Sequence, residues 1–82
     1  MDSSVYKYNG KSRDLRKVIL ALLKSWLAIE VQKMNYIHNY IMKDNKLFKW
    51  ETQIFIVYSN DLEKVNDFLL RNFSQVERVN LK

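Results

Sequence analysis

The sequence predicts a small α+β domain whose elements follow the order β-α-β-β-α-β, with two helices on one face of an antiparallel sheet. Three observations carry that expectation. Apolar residues recur at helical spacing from Leu15 to Leu27. Alternate residues from Phe48 to Tyr58 form a period-two row of mostly apolar and aromatic side chains, a strand signature. A second helical stripe starts behind a capping sequence at residues 60–63.

Val5-Tyr6-Lys7-Tyr8 is a short β-prone run that Asn9-Gly10 closes as a turn. Ser12 is the expected N-cap of the first helix, with Asp14 in its first turn. Leu15, Val18, Ile19, Leu22, Leu23, Trp26 and Leu27 then supply one apolar face, so the helix is expected over 12–27. Residues 28–43 read two ways. As a helix, Met34, Ile37, Tyr40 and Ile41 share a face, which gives a more helix-rich α+β domain. As a strand, Met34, Tyr36, His38, Tyr40 and Met42 alternate with Asn35, Ile37, Asn39 and Ile41.

The next segment favours the strand. With Asp44-Asn45-Lys46 as a three-residue loop, Met42 faces Phe48, Tyr40 faces Trp50, His38 faces Thr52, Tyr36 faces Ile54 and Met34 faces Ile56. One face of the hairpin then becomes largely aromatic and aliphatic. Asn60 is the expected N-cap of the second helix, with Glu63 closing a capping box. Leu62, Val65, Phe68, Leu69 and Phe73 form its stripe, and Val76, Val79 and Leu81 end the chain in a short strand. This order is the ferredoxin-like split βαβ arrangement.

Eighty-two residues suit a single domain, 1–82, with a thin core. Hydrophobic residues at 48% are enough to fold. No stretch approaches the ~20 apolar residues of a membrane span. The opening Met1-Asp2-Ser3-Ser4 is unlike a secretory signal, and cysteine is absent, so a cytoplasmic location is expected. Abundant Lys, Asn, Ile, Tyr and Phe, with no Pro and a single Gly, suggest an AT-rich genome and a phage or mobile-element origin.

Catalysis needs a titratable constellation, and the sequence offers little for one. The single histidine, His38, is expected among apolar neighbours as a packed or half-exposed residue. One histidine without cysteine leaves zinc short of favoured ligands. Asp61, Glu63 and Asp67 read as helix-start acids. Lys43, Asp44, Asn45 and Lys46 read as a solvated turn rather than an anion site, and one glycine makes no phosphate loop. No catalytic residue, metal or cofactor is therefore expected, and the chain is taken as no enzyme.

Two family resemblances bear on function. Val5-Tyr6-Lys7-Tyr8-Asn9-Gly10 resembles the first-strand motif of RNA-recognition modules, and Glu51 to Tyr58 stands where their third-strand motif would. That resemblance implies base stacking on exposed sheet aromatics, here Tyr6 and Phe55. Thr52 replaces the usual glycine of that motif and Gln53 its first stacking aromatic. Separately, Leu22 to Ile29 and the hairpin over 39–59 resemble the order of elements in the trimeric CutA family. The His-Pro-Tyr-Glu segment of that family is missing around Asn72 to Glu77, so the resemblance implies a fold and carries over no site residue.

The first functional expectation is a regulator or inhibitor that binds a protein partner. It would use Tyr6, Tyr8, Ile37, Ile41, Phe55 and Val57 on an uncovered sheet face, a surface that would also serve a homo-oligomer. The alternative rests on charge. Of the net +5, residues 1–50 hold ten Lys/Arg against four Asp/Glu, and residues 51–82 hold four against five. Lys7, Lys11, Arg13, Arg16, Lys17 and Lys24 would then contact nucleic-acid phosphates. A third reading attaches the helix at 12–27 to an anionic membrane surface, with Lys24 beside its apolar stripe and Arg13, Arg16 and Lys17 flanking it.

Overall fold

The computed structural model describes residues 2–79, less the side chains of residues 35–37. Expected contacts of Ile37 and Leu81 lie outside the described residues. The elements are β1 (Asp2–Asn9), α1 (Ser12–Lys24), β2 (Glu30–Lys43), β3 (Lys46–Ser59), α2 (Leu62–Asn72) and β4 (Val76–Arg78). They form one antiparallel sheet in the order β2-β3-β1-β4, with two helices on one face. This is the ferredoxin-like βαββαβ arrangement, and 28–43 contributes a strand rather than a helix.

Alternation along β1 and β3 decides what the helices cover. Tyr6 is paired with Phe55, Tyr8 with Gln53 and Ser4 with Val57, and all six are buried. Leu15, Val18 and Leu22 of α1, and Val65 and Leu69 of α2, pack onto this side together with Ala28 and Val76. Full burial of each such Val, Leu or Phe is worth about 1.5–3 kcal/mol. The Tyr6 and Phe55 rings stack at 5.7 Å, and the Tyr6 hydroxyl donates to Asn66 Oδ1 at 3.3 Å. Burial raises the Tyr6 phenol above its ordinary pKa, opposed by the Ser4 hydroxyl and Arg78. Burial, then the nearby Asp14 carboxylate, does the same to Tyr8.

The helix boundaries differ from the expected ones for local reasons. Lys11, not Ser12, is the N-cap of α1, and its carbonyl accepts from Asp14 N and Leu15 N. The Ser12 hydroxyl instead donates to Gln53 Oε1 at 3.3 Å. The helix stops at Lys24, and Trp26 then takes a left-handed φ of 62°. Leu27 N bonds Leu22 O and Trp26 N bonds Leu23 O, the two bonds of a Schellman turn. Asp61, not Asn60, caps α2, accepting from Lys64 N at 3.2 Å. Buried Ser59 ties the two junctions, donating to Leu27 O at 2.6 Å and accepting from Asp61 N at 3.1 Å.

The hairpin turn is one residue shorter than expected. Asp44 and Asn45 both adopt positive φ, 53° and 61°, so a two-residue turn of the I′ kind joins Lys43 to its partner Lys46. Every pair in the outer half shifts by one: Ile41 faces Phe48, Asn39 faces Trp50 and His38 faces Glu51. Because side chains alternate, the rows Tyr40–Met42 and Phe48–Trp50 fall on opposite faces instead of sharing one. A bulge between Lys33 and Asn35 absorbs Met34 as the extra residue and displaces the pairing by one more, so that Lys33 faces Phe55 and the side chains below it return to their expected faces against shifted partners.

Candidate functional site: a projecting arm and an uncovered sheet face

β1 pairs with β3 only over residues 52–59, although β3 begins at Lys46. The remaining stretch of β3 and its partner on β2 therefore leave the body as a two-stranded arm, about 20 Å long at strand rise. The molecule measures 47 × 28 × 21 Å along its principal axes. Tyr40, Ile41, Met42, Leu47, Phe48 and Trp50 are each between 44% and 64% exposed on this arm. A two-stranded ribbon with no layer behind it is marginal in water. Six large apolar side chains on such a ribbon make a surface that gains from being covered.

The arm continues into the sheet face turned away from the helices. By register, Phe48, Trp50, Thr52, Ile54, Ile56 and Tyr58 follow one another along that side of β3, with Ile41 beside Phe48 and Val5 beside Ile56. Val5, Ile54, Ile56 and Tyr58 are only half-buried, because no element among the described residues packs above them. Thr52 is buried by polar contacts, accepting from Asn39 Nδ2 at 2.8 Å and donating to Asn9 Oδ1 at 3.1 Å. The apolar row thus runs the length of β3 with one hydrogen-bonded break.

At the base of the arm, on the helix side, lies a cleft of about 240 Å³ lined by Ser12, Lys33, His38, Glu51 and Gln53. Gln53 is buried, and its amide donates to Gly10 O at 3.4 Å and Glu51 Oε2 at 3.5 Å. Lys33 Nζ donates to Ser12 Oγ. His38 is exposed and stands opposite Glu51, not among apolar neighbours as expected. These contacts join the start of α1 to the root of the arm. Among the described residues, no three of His, Asp and Glu come together as a metal site.

The expected partner-binding residues separate into two places. Tyr6, Tyr8, Phe55 and Val57 are core under the helices, which corrects their assignment to the open face. Period-two alternation distinguishes two faces but does not say which one the helices take. Ile41 is exposed on the arm. The expected phosphate contacts also divide. Lys7 lies on the open face and pairs with Glu77 at 3.1 Å, whereas Arg13, Arg16, Lys17 and Lys24 lie on α1 and Lys11 just before it. The sheet stands between the two groups, so they form no single phosphate-tracking stripe. For Tyr6 and Phe55, burial likewise removes the stacking platform that the RNA-module resemblance implies.

Met42, Phe48 and Trp50 are expected from the sequence on a sheet face, not on a projection, and nothing in the pattern singles out Leu47. The signal that finds them is length: the period-two row from Phe48 to Tyr58 outruns the short run of Val5 to Tyr8 that flanks it. Strands of unequal length leave the surplus unaccompanied.

Among solved structures, the chain is similar to CutA proteins. The CutA of Pyrococcus horikoshii in the presence of 3 M guanidine hydrochloride matches with a TM-score of 0.67 at 14% identity, over 99% of this chain and 85% of that one. The PII-like protein CutA of Nostoc sp. PCC 7120, in apo form, matches with a TM-score of 0.64 at 8% identity, over 96% and 79%. The periplasmic divalent cation tolerance protein CutA of Archaeoglobus fulgidus matches with a TM-score of 0.59 at 14% identity, over 99% and 85%. No protein-family model and no curated protein sequence matches the chain. At these identities the likeness is one of fold. The expectations of a phage or mobile-element inhibitor and of a nucleic-acid binder are corrected: the similar structures are divalent cation tolerance proteins, Tyr6, Tyr8, Phe55 and Val57 are buried, and Lys7 stands across the sheet from the other five cations.

Proposed function

We propose that this chain is a non-catalytic, self-assembling protein of the CutA kind, a trimer whose protomers are held together by the projecting arm and the open sheet face, with a role in divalent-cation tolerance. The observation that carries the assembly is the arm itself, with six large apolar side chains exposed on a ribbon that continues into a half-covered apolar face. Further copies are the natural cover, because in a closed ring the arm of each protomer meets a different apolar surface, the open face, of the next. The trimer follows the resemblance to the trimeric CutA family, and the cation role follows the names of the similar structures. Since His38 and Glu51 alone do not make a metal centre, the reading assigns the chain's contribution to the assembly and not to a resident ion.

Among the described residues no helix is long and apolar enough to cross a membrane. A cytoplasmic location belongs to this proposal. Cell fractionation tests it against the periplasm, the compartment in the name of the Archaeoglobus protein.

Sedimentation equilibrium tests the assembly. A trimer at micromolar concentration is expected, dissociating to monomers when Phe48→Glu and Trp50→Glu are combined. A wild-type monomer at that concentration overturns the reading. Expression in a bacterium sensitised to divalent cations checks the cellular role: raised tolerance is expected, and its loss in the same double variant.

A further inference from the structure

The outer face of α1 is not used by the core, and the assembly proposed above does not call on it: the open face lies across the sheet from it and the arm projects beyond the body. Helical spacing sets Arg13, Arg16, Lys17, Leu20, Leu23 and Lys24 on the side opposite Leu15, Val18 and Leu22. All six are exposed. A helix that meets only water carries polar residues on that side. Here Leu20 stands in the middle of the face, 51% exposed, with Leu23 beside it and four cations around the pair.

The turn after the helix extends this surface. Trp26 is 90% exposed and Ile29 is more than half exposed. Trp26 occupies the left-handed position of the Schellman turn, where glycine is the residue that fits without strain. At a site that favours the smallest residue, the chain presents its largest side chain to solvent. Backbone strain of this kind at an exposed side chain points to a use for the side chain.

We propose that the outer face of α1, extended by Trp26 and Ile29, is a docking surface for an anionic membrane. Charge complementarity selects the occupant. Arg13, Arg16, Lys17 and Lys24 face lipid phosphates and carboxylates, while the indole and the leucines enter the boundary between headgroups and acyl chains. The acids nearby do not cancel the cations: Asp14 is half-buried in the first turn, Glu30 lies beyond Ile29, and Asp61 pairs with Lys64 at 3.9 Å. A nucleic acid would engage the cations but leave Leu20, Leu23 and Trp26 in water.

Co-sedimentation with phosphatidylcholine vesicles, with and without phosphatidylserine, tests the proposal. The full chain pellets with the anionic vesicles and stays in solution with the neutral ones. Arg16→Gln with Lys17→Gln weakens partitioning, by about fivefold per charge removed. Trp26→Gly separates this role from a structural one, because it raises Tm while lowering vesicle binding about tenfold or more. In a Trp50→Phe background, Trp26 emission shifts to the blue on anionic vesicles. Equal pelleting with both lipids, binding unchanged in Trp26→Gly, or an unmoved emission maximum each overturns the proposal. Absent vesicle binding together with retention of duplex DNA overturns it in favour of phosphate-backbone contact.

Discussion

Gly10 shows how narrowly single residues are constrained here. A Cβ built on it would stand 2.6 Å from Cε2 of Tyr8, whose ring is buried and cannot swing aside. Gly10→Ala is expected to cost about 1–3 kcal/mol, read as a lower urea midpoint at unchanged slope. The buried tyrosines set the alkaline limit. Their phenols titrate above the ordinary tyrosine value because the fold prefers them protonated. Their stabilising contribution is therefore complete below about pH 10 and is lost as pH rises past that value. Urea midpoints measured from pH 8 to 11 are expected to drop at the alkaline end, and less steeply in Tyr6→Phe. Little of this was legible in the sequence. The Asn9-Gly10 turn was, but the ring packed against it comes from which side of β1 meets the helices, a tertiary choice.

At the scale of elements, the sequence carried the helices and strands well and the register poorly. Of the expected stripe Leu15, Val18 and Leu22 are buried and Ile19 and Leu27 partly so, whereas Leu23 and Trp26 are exposed; Val65 and Leu69 are the buried pair of α2. The hairpin was readable as a hairpin, yet Asp44-Asn45-Lys46 allows two loop lengths. Only the pair of left-handed residues, Asp44 and Asn45, fixes the shorter one. A one-residue choice in the turn moved Phe48 and Trp50 to the face opposite Tyr40 and Met42. The bulge at Met34 has no sequence mark at all, since nothing at that position differs from an ordinary strand residue. Glycine is preferred at the second position of a type I′ turn, so Asn45→Gly is expected to stabilise the arm by about 0.5–1 kcal/mol. Slower amide hydrogen exchange over residues 38–51 checks it.

For the whole molecule, the surplus of apolar residues was visible in composition, but its location was not. Tyr6, Tyr8, Phe55 and Val57 were expected outside and are inside; the exposed apolar surface is instead the arm, with the uncovered row on β3. Its placement follows from unequal strand lengths, a property of how strands are accompanied and not of any one residue. If assembly buries this surface, unfolding is linked to dissociation, and Tm rises with protein concentration. A rise of several degrees is expected between 1 and about 100 µM for the native chain, and none for the chain carrying Phe48→Glu and Trp50→Glu. Differential scanning calorimetry at two concentrations reads both.

β2 lies at the border of the sheet, so the outward N–H and C=O groups of Glu30–Lys43 have no neighbouring strand among the described residues. If the proposed assembly forms, a newly made chain is a template for strand addition until a companion arrives, and the Met34 kink and the lysines at 33 and 43 are the guards it carries. Overproduction faster than protomers can meet would divert chains into fibrous precipitate, with the arm as its seed.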